Sequence, residues 1–137
     1  MSRIVVKLGG SVADASAAAV LELAREHEVC VVHGAGPQIT EEMERFGIPV
    51  EFVGGRRVTS RAGLAVVRSS LAAVNRTLCT AIGARAVPLF GDEVGLHAVQ
   101  VAALGLVGDP LPSRPPRSSR RSRRASSRWS RRSASAR

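Results

Sequence analysis

Two glycine turns, KLGGS at 7–11 and HGAGP at 33–37, each follow a short apolar run and lead into a helical pattern. A turn of this kind leaves backbone N–H groups free at the positive end of a helix dipole, which favours a phosphate or carboxylate. One such turn is weak evidence, because glycine also closes ordinary turns. Two at matching positions of neighbouring strands say more. Lys7 stands inside an otherwise apolar run, beside the first turn. A lysine there must reach an anion or water. A strand-end lysine often snorkels to solvent, but this one emerges next to both glycine turns, where it can neutralise a phosphoryl group in transfer. Arg56 and Arg57 follow Gly55, and an arginine fork can hold a carboxylate in bidentate fashion. Two solvated arginines are the commoner case, and spacing alone does not choose. His33 ends a strand and reads as a cap on backbone groups rather than a general base. His27 and His97 find no partner in the pattern. Asp92 and Glu93 fall in a predicted turn and read as solvated. No P-loop, GxSxG or metal-ligand cluster appears.

The elements that must position these residues follow from the pattern. Residues 3–8 (RIVVKL) and 29–33 (VCVVH) read as short buried strands. Ser11 and Asp14 form an S-x-x-D capping box that opens an alanine-rich helix, running to about His27. Pro37 suits a first helical turn, and Ile39, Met43 and Phe46 give the following helix its apolar stripe. The order strand, helix, strand, helix argues for a βαβ unit and a parallel sheet. Gly47 closes the second helix, and residues 49–58 (PVEFVGGRRV) read as a hairpin around Gly54-Gly55. Thr59 or Ser60 caps a third helix, with an apolar seam at Leu64, Val67, Leu71, Val74, Leu78 and Ile82. This seam reads first as core. It also suits a helix that meets its twin in a dimer. ARAVPLFG (84–91) is expected as a fourth buried strand, with HAVQVA (97–102) and LGLVG (104–108) as two more.

Composition divides the chain. It has 137 residues and a formal charge of +9. Residues 1–112 hold ten Lys or Arg and all eleven acids, whereas residues 113–137 hold ten Arg, nine Ser and no acid. The tail has no Leu, Ile, Val or Phe to bury and is expected to be disordered. The short N-terminal apolar run is broken by glycines and does not read as a signal peptide, and no run approaches the length of a membrane span. Cys30 and Cys79 form no redox or metal motif and read as reduced, mostly buried thiols, which points to a cytoplasmic location.

Taken together and in order, VVKLGGS, VVHGAGPQI, FVGGRRVT, VNRTL, AVPLFGDEVGL and LGLVGD resemble the N-terminal part of the acetylglutamate kinases, within the amino acid kinase family. The resemblance runs over about residues 3–110. It implies an open αβα sandwich with a mainly parallel sheet. It implies transfer of the γ-phosphoryl of ATP, carried with Mg2+, to the side-chain carboxylate of N-acetyl-L-glutamate in arginine biosynthesis. By position, Lys7 resembles the lysine that stabilises the moving phosphoryl group. Gly9 and Gly10 resemble the phosphate-facing turn. Gly34, Ala35 and Gly36 occupy the loop whose amides contact substrate and phosphoryl group. Arg57 matches the arginine that grips the substrate carboxylate. Residues 60–82, Asn75 among them, match a helix that forms a homodimer contact. The family's loop is commonly HGGG, and Ala35 replaces its middle glycine. A methyl there narrows the pocket if the position needs φ > 0, and is harmless otherwise.

The expected division is therefore a kinase-like part over 1–110 and an Arg/Ser-rich tail over 111–137. The tail reads as an out-of-frame translation of a GC-rich gene. On that reading the chain is truncated and inactive alone, without most of the ATP pocket. Two other readings exist. A nucleic-acid-binding protein would use the tail's arginines, but one aromatic residue and no basic patch in the domain leave only nonspecific polyanion binding to expect. A noncatalytic subunit would pair with an intact kinase through helix 60–82.

Overall fold

The computed structural model of the chain describes residues 1–10 and 16–112. Ser11 and Asp14 of the expected capping box, and the basic tail from 113 onward, lie outside the described residues. Contacts divide the chain into two units. The first comprises Met1–Ala86 and Gln100–Val107.

Its centre is the parallel pair of β1 (Ser2–Leu8) and β2 (His27–His33), in register from Ser2↔His27 to Leu8↔His33. Burial alternates along β1, as a half-buried strand requires. Leu8, Val6, Val29 and Val31 pack on Ala17 and Val20 of helix α1 (Ala17–Leu23) and on Leu78 and Ile82 of helix α3 (Arg61–Ile82). The opposite face carries Val5, Lys7, Cys30 and Val32, all exposed. The α/β class and the parallel order stand as expected. Helix α1 is shorter than expected: it ends at Leu23, and His27 already belongs to β2.

Helix α2 (Gly36–Arg45) has Pro37 in its first turn, and buries Ile39 and Met43 against Val66 and Val74 of α3, with Ala35 completing the cluster. Phe46, expected on the stripe, is 63% exposed instead. The helix has already ended at Arg45, so the period that placed Phe46 inward no longer holds there. Ser60 caps α3, its hydroxyl accepting from the Gly63 N–H at 3.1 Å. The fully buried line of α3 runs through Gly63, Val66, Ser70, Val74 and Leu78, one position away from the expected seam at its N-terminal half. Small residues explain the shift. A side chain at Gly63 would start 3.4 Å from Met43 Cε, so α2 packs over glycine and serine while Val67 and Leu71 flank the contact.

The hairpin forms as expected, with β3 (Phe52–Val53) antiparallel to β4 (Arg56–Arg57). Gly54 and Gly55 have φ of +57° and +76°, the paired positive values of a two-residue hairpin turn. The LGLVG strand is not present as expected. Ala102–Leu104 is a single 3₁₀ turn, and Gly105 then meets Thr59 in an isolated parallel bridge. Leu104 is buried, its carbonyl accepting from the Thr59 N–H at 2.9 Å.

The second unit comprises Val87–Val99 and, among the described residues, 108–112. The strand expected over 84–91 does not form. Pro88 removes a ladder donor at its middle, and Leu89 remains 49% exposed. Strand β5 (Ala98–Gln100) instead pairs with β6 (Gly108–Pro110). No helix among the described residues is long and apolar enough to cross a membrane.

Among the described residues Met43 is the most completely buried large side chain, at 1% exposure. Met43→Ala is expected to destabilise the fold by about 2–5 kcal/mol through the cavity it leaves. Urea unfolding followed by circular dichroism checks this.

Candidate functional site

The register of β1 and β2 ends with Leu8 beside His33, so the two glycine turns emerge side by side. The Gly34 N–H donates to the Leu8 carbonyl at 3.2 Å, carrying the ladder one step beyond the strands. The turns then touch. A Cβ on Gly10 would lie 2.9 Å from Ala35 Cα and from the Gly34 oxygen. That close approach, rather than an unusual φ, makes residue 10 a glycine. Gln38, in the first turn of α2, donates from Nε2 to the Gly10 carbonyl at 2.8 Å, while its Oε1 is buried without a partner. Gln38 was not singled out in the sequence. Its partner is 28 residues away, and no local pattern points to it.

The amides divide their work. Gly34 N–H is used within the fold, and the Ala35 carbonyl accepts from Ile39 at 2.9 Å as helix α2 begins. The Ala35 and Gly36 N–H groups make no backbone bond within the fold; Gly36 is exposed at a helix start with no acid in its first turn, whereas Ala35 is buried. Ala35 has φ of −146°, so its position needs no glycine. The residue is 2% exposed and clusters with Ile39, Met43, Val66 and Val74. The departure from the commoner glycine thus adds to the core.

Arg57 is brought to this helix start by the hairpin. Its register places Phe52 opposite Arg57, and the guanidinium lies 4.6 Å from the Phe52 ring centroid. Nη2 donates to Thr40 Oγ1 at 2.8 Å and to the Gly36 carbonyl at 3.3 Å, and Nη1 to Met43 Sδ at 3.5 Å. Every one of these partners is neutral. Ion pairs among the described residues include Arg3–Glu28, Arg25–Glu22 and Arg45–Glu42, none of which involves Arg57. A fixed cation beside free helix N–H groups suits a carboxylate or phosphate. Lys7 stands on the open sheet face in register with Val32, without a contact to Arg57. His33 sits on the opposite, helix-facing side of β2 and contacts Asn75 and Gly34. No three His, Cys, Asp or Glu side chains among the described residues gather as a metal site.

Similarity to known proteins bears on the family and the fold. The model of the amino acid kinase family matches residues 2–129. An acetylglutamate kinase of Frankia casuarinae is 39% identical over 132 residues, covering 82% of this chain and 36% of that protein. One from Cereibacter sphaeroides is 38% identical, covering 79% of this chain and 41% of that protein. One from Geobacillus kaustophilus is 36% identical, covering 77% and 45%. The chain thus spans less than half the length of these curated relatives. The crystal structure of smu.665 from Streptococcus mutans UA159 superposes with a TM-score of 0.64 at 21% identity, over 82% of this chain and 51% of that one.

Gly10→Ala is expected to force the two turns apart, because the atoms its methyl meets include backbone. A destabilisation of about 1–3 kcal/mol follows, with the largest amide shifts at residues 34–38. Denaturant titration and amide NMR spectra read the two effects.

Proposed function

The chain belongs to the amino acid kinase family, and on that premise we propose that its glycine turns, Lys7 and Arg57 form the acceptor and phosphoryl-facing side of an acetylglutamate kinase site. Arg57 carries the reading. It is a cation stacked on Phe52 and tied to Thr40 and Gly36, with only neutral partners, at the start of α2. N-acetyl-L-glutamate supplies the missing counter-charge through its α-carboxylate. The Ala35 and Gly36 amides then face the side-chain carboxylate and the phosphoryl group moving to it, and Gly9 and Gly10 line the phosphate side. Lys7 neutralises charge that develops on the phosphoryl oxygens, an interaction strongest in the transition state.

The γ-phosphoryl comes from ATP, which brings Mg2+ on its phosphates. Magnesium is commonly held by substrate phosphates and one or two carboxylates. The described residues assign it no protein ligand. Membership of the family and the names of the relatives support a kinase; the particular acid and the place in arginine biosynthesis belong to the proposal. So does a homodimer through residues 60–82, where Val67, Leu71 and Ile82 already pack within the chain. Sedimentation at micromolar concentration reads that contact.

Binding is the first test, by calorimetry with N-acetyl-L-glutamate. Arg57→Ala is expected to weaken affinity about ten- to a hundredfold, the loss of a charge-assisted bidentate contact. Lys7→Ala is expected to leave it within about twofold, because that ammonium acts on the phosphoryl group. A wild-type chain that does not bind the acid, or an Arg57→Ala chain that binds it equally well, removes the assignment. A hydroxamate assay for acyl phosphate, with ATP and magnesium, reads transfer separately.

A further inference from the structure

A line of hydrogen bonds runs from helix α3 into the ligand-facing loop. Cys79 Sγ lies 3.6 Å from Asn75 Oδ1. Asn75 Nδ2 lies 3.1 Å from His33 Nε2. His33 Nδ1 lies 3.3 Å from the Gly34 carbonyl oxygen. The chemistry of each atom fixes the direction of the line. A carbonyl only accepts, so Nδ1 carries a hydrogen. A neutral imidazole has one N–H, so Nε2 accepts, and Asn75 must present its NH2 group there. The Asn75 oxygen is left for the thiol, which donates. Burial pushes the Cys79 pKa up, which keeps the sulfur in that donating form.

We infer that His33 is a positioning residue for the anion-binding loop: Asn75 holds it as the Nδ1–H tautomer, and it grips the Gly34 carbonyl and so sets the direction of the Ala35 N–H. The step from carbonyl to amide is covalent geometry. The peptide between Gly34 and Ala35 is planar and trans, so its C=O and N–H point opposite ways in one rigid plane. Leu8 holds that loop from one side through the Gly34 N–H. His33 holds it one peptide plane further on, at the Gly34 carbonyl, in the same plane as the Ala35 N–H. The inference rests on the acceptor-site reading for what the Ala35 amide binds, but not for how it is held.

Nitrogen-15 NMR of the labelled full chain tests the tautomer without any ligand. Wild type is expected to show His33 protonated at Nδ1 and unprotonated at Nε2. Asn75→Ala removes the donor, and the ring is expected to populate the Nε2–H form, with a shift of the Ala35 amide. Affinity for N-acetyl-L-glutamate then falls about five- to tenfold. Asn75→Asp supplies a carboxylate that accepts from Nε2, giving a doubly protonated ring that still donates through Nδ1. Its Ala35 amide and affinity are expected to return to wild-type values within about twofold. A wild-type ring protonated at Nε2 alone overturns the inference, as does an Asn75→Ala chain with an unchanged tautomer and Ala35 amide. Equal losses in both variants assign Asn75 a purely structural role and also overturn it. If wild type does not bind the acid while tautomer and amide follow the variants, the positioning stands and the acceptor reading falls.

Discussion

The contact between the two glycine turns is the constraint on which the site depends. Parallel pairing ends β1 and β2 at the same level, so the chain must make two turns in one place. Gly10 leaves no room for a side chain against Ala35 and Gly34. Gln38 closes the gap from the helix side, and the Gly34 amide closes it from the strand side. Helix α2 leaves the end of β2 directly, so its start falls at this same edge. The first N–H groups of α2 thus come to the paired turns as a result of topology, before any side chain is chosen.

Helix α3 makes that arrangement rigid. Its 22 residues span about 33 Å at 1.5 Å per residue. That length reaches both apolar clusters. Its C-terminal end supports the strands through Leu78 and Ile82, and the turns before that support α2 through Val66 and Val74. Asn75 leaves the same helix between those contacts and meets His33. One element therefore fixes the strand ends, the following helix and the loop between them.

Much of this was legible in the sequence. KLGGS and HGAGP marked both turns, and FVGGRRV marked the hairpin, because glycine pairs carry backbone information directly. What escaped was tertiary. The apolar period of α3 located large side chains but passed over the buried Gly63 and Ser70, and it is at Gly63 that Met43 of α2 comes close. ARAVPLFG has strand composition, yet Pro88 takes a donor from its middle and no strand pairs with it among the described residues. Gln38 to Gly10 and Asn75 to His33 join residues 28 and 42 positions apart, and nothing local announces either. Ala35 posed a choice that the sequence left open. Its backbone geometry decided it, by turning the methyl into the core.

Arg57 shows how the electrostatics of the site fit together. A half-buried guanidinium loses water, and an acid of the fold would ordinarily compensate it. Here the compensation is neutral: a ring face, a hydroxyl, a carbonyl and a thioether. Those contacts fix the plane of the fork without cancelling its charge. The same end of α2 adds the positive end of a helix dipole and no acid in its first turn. A resident carboxylate would satisfy Arg57 better in the free protein, but it would compete with any anionic ligand for the same donors. Neutral partners give up some stability in return for an oriented, unspent positive charge. Such an arrangement favours an anion, and a planar carboxylate matches the fork in both charge and shape.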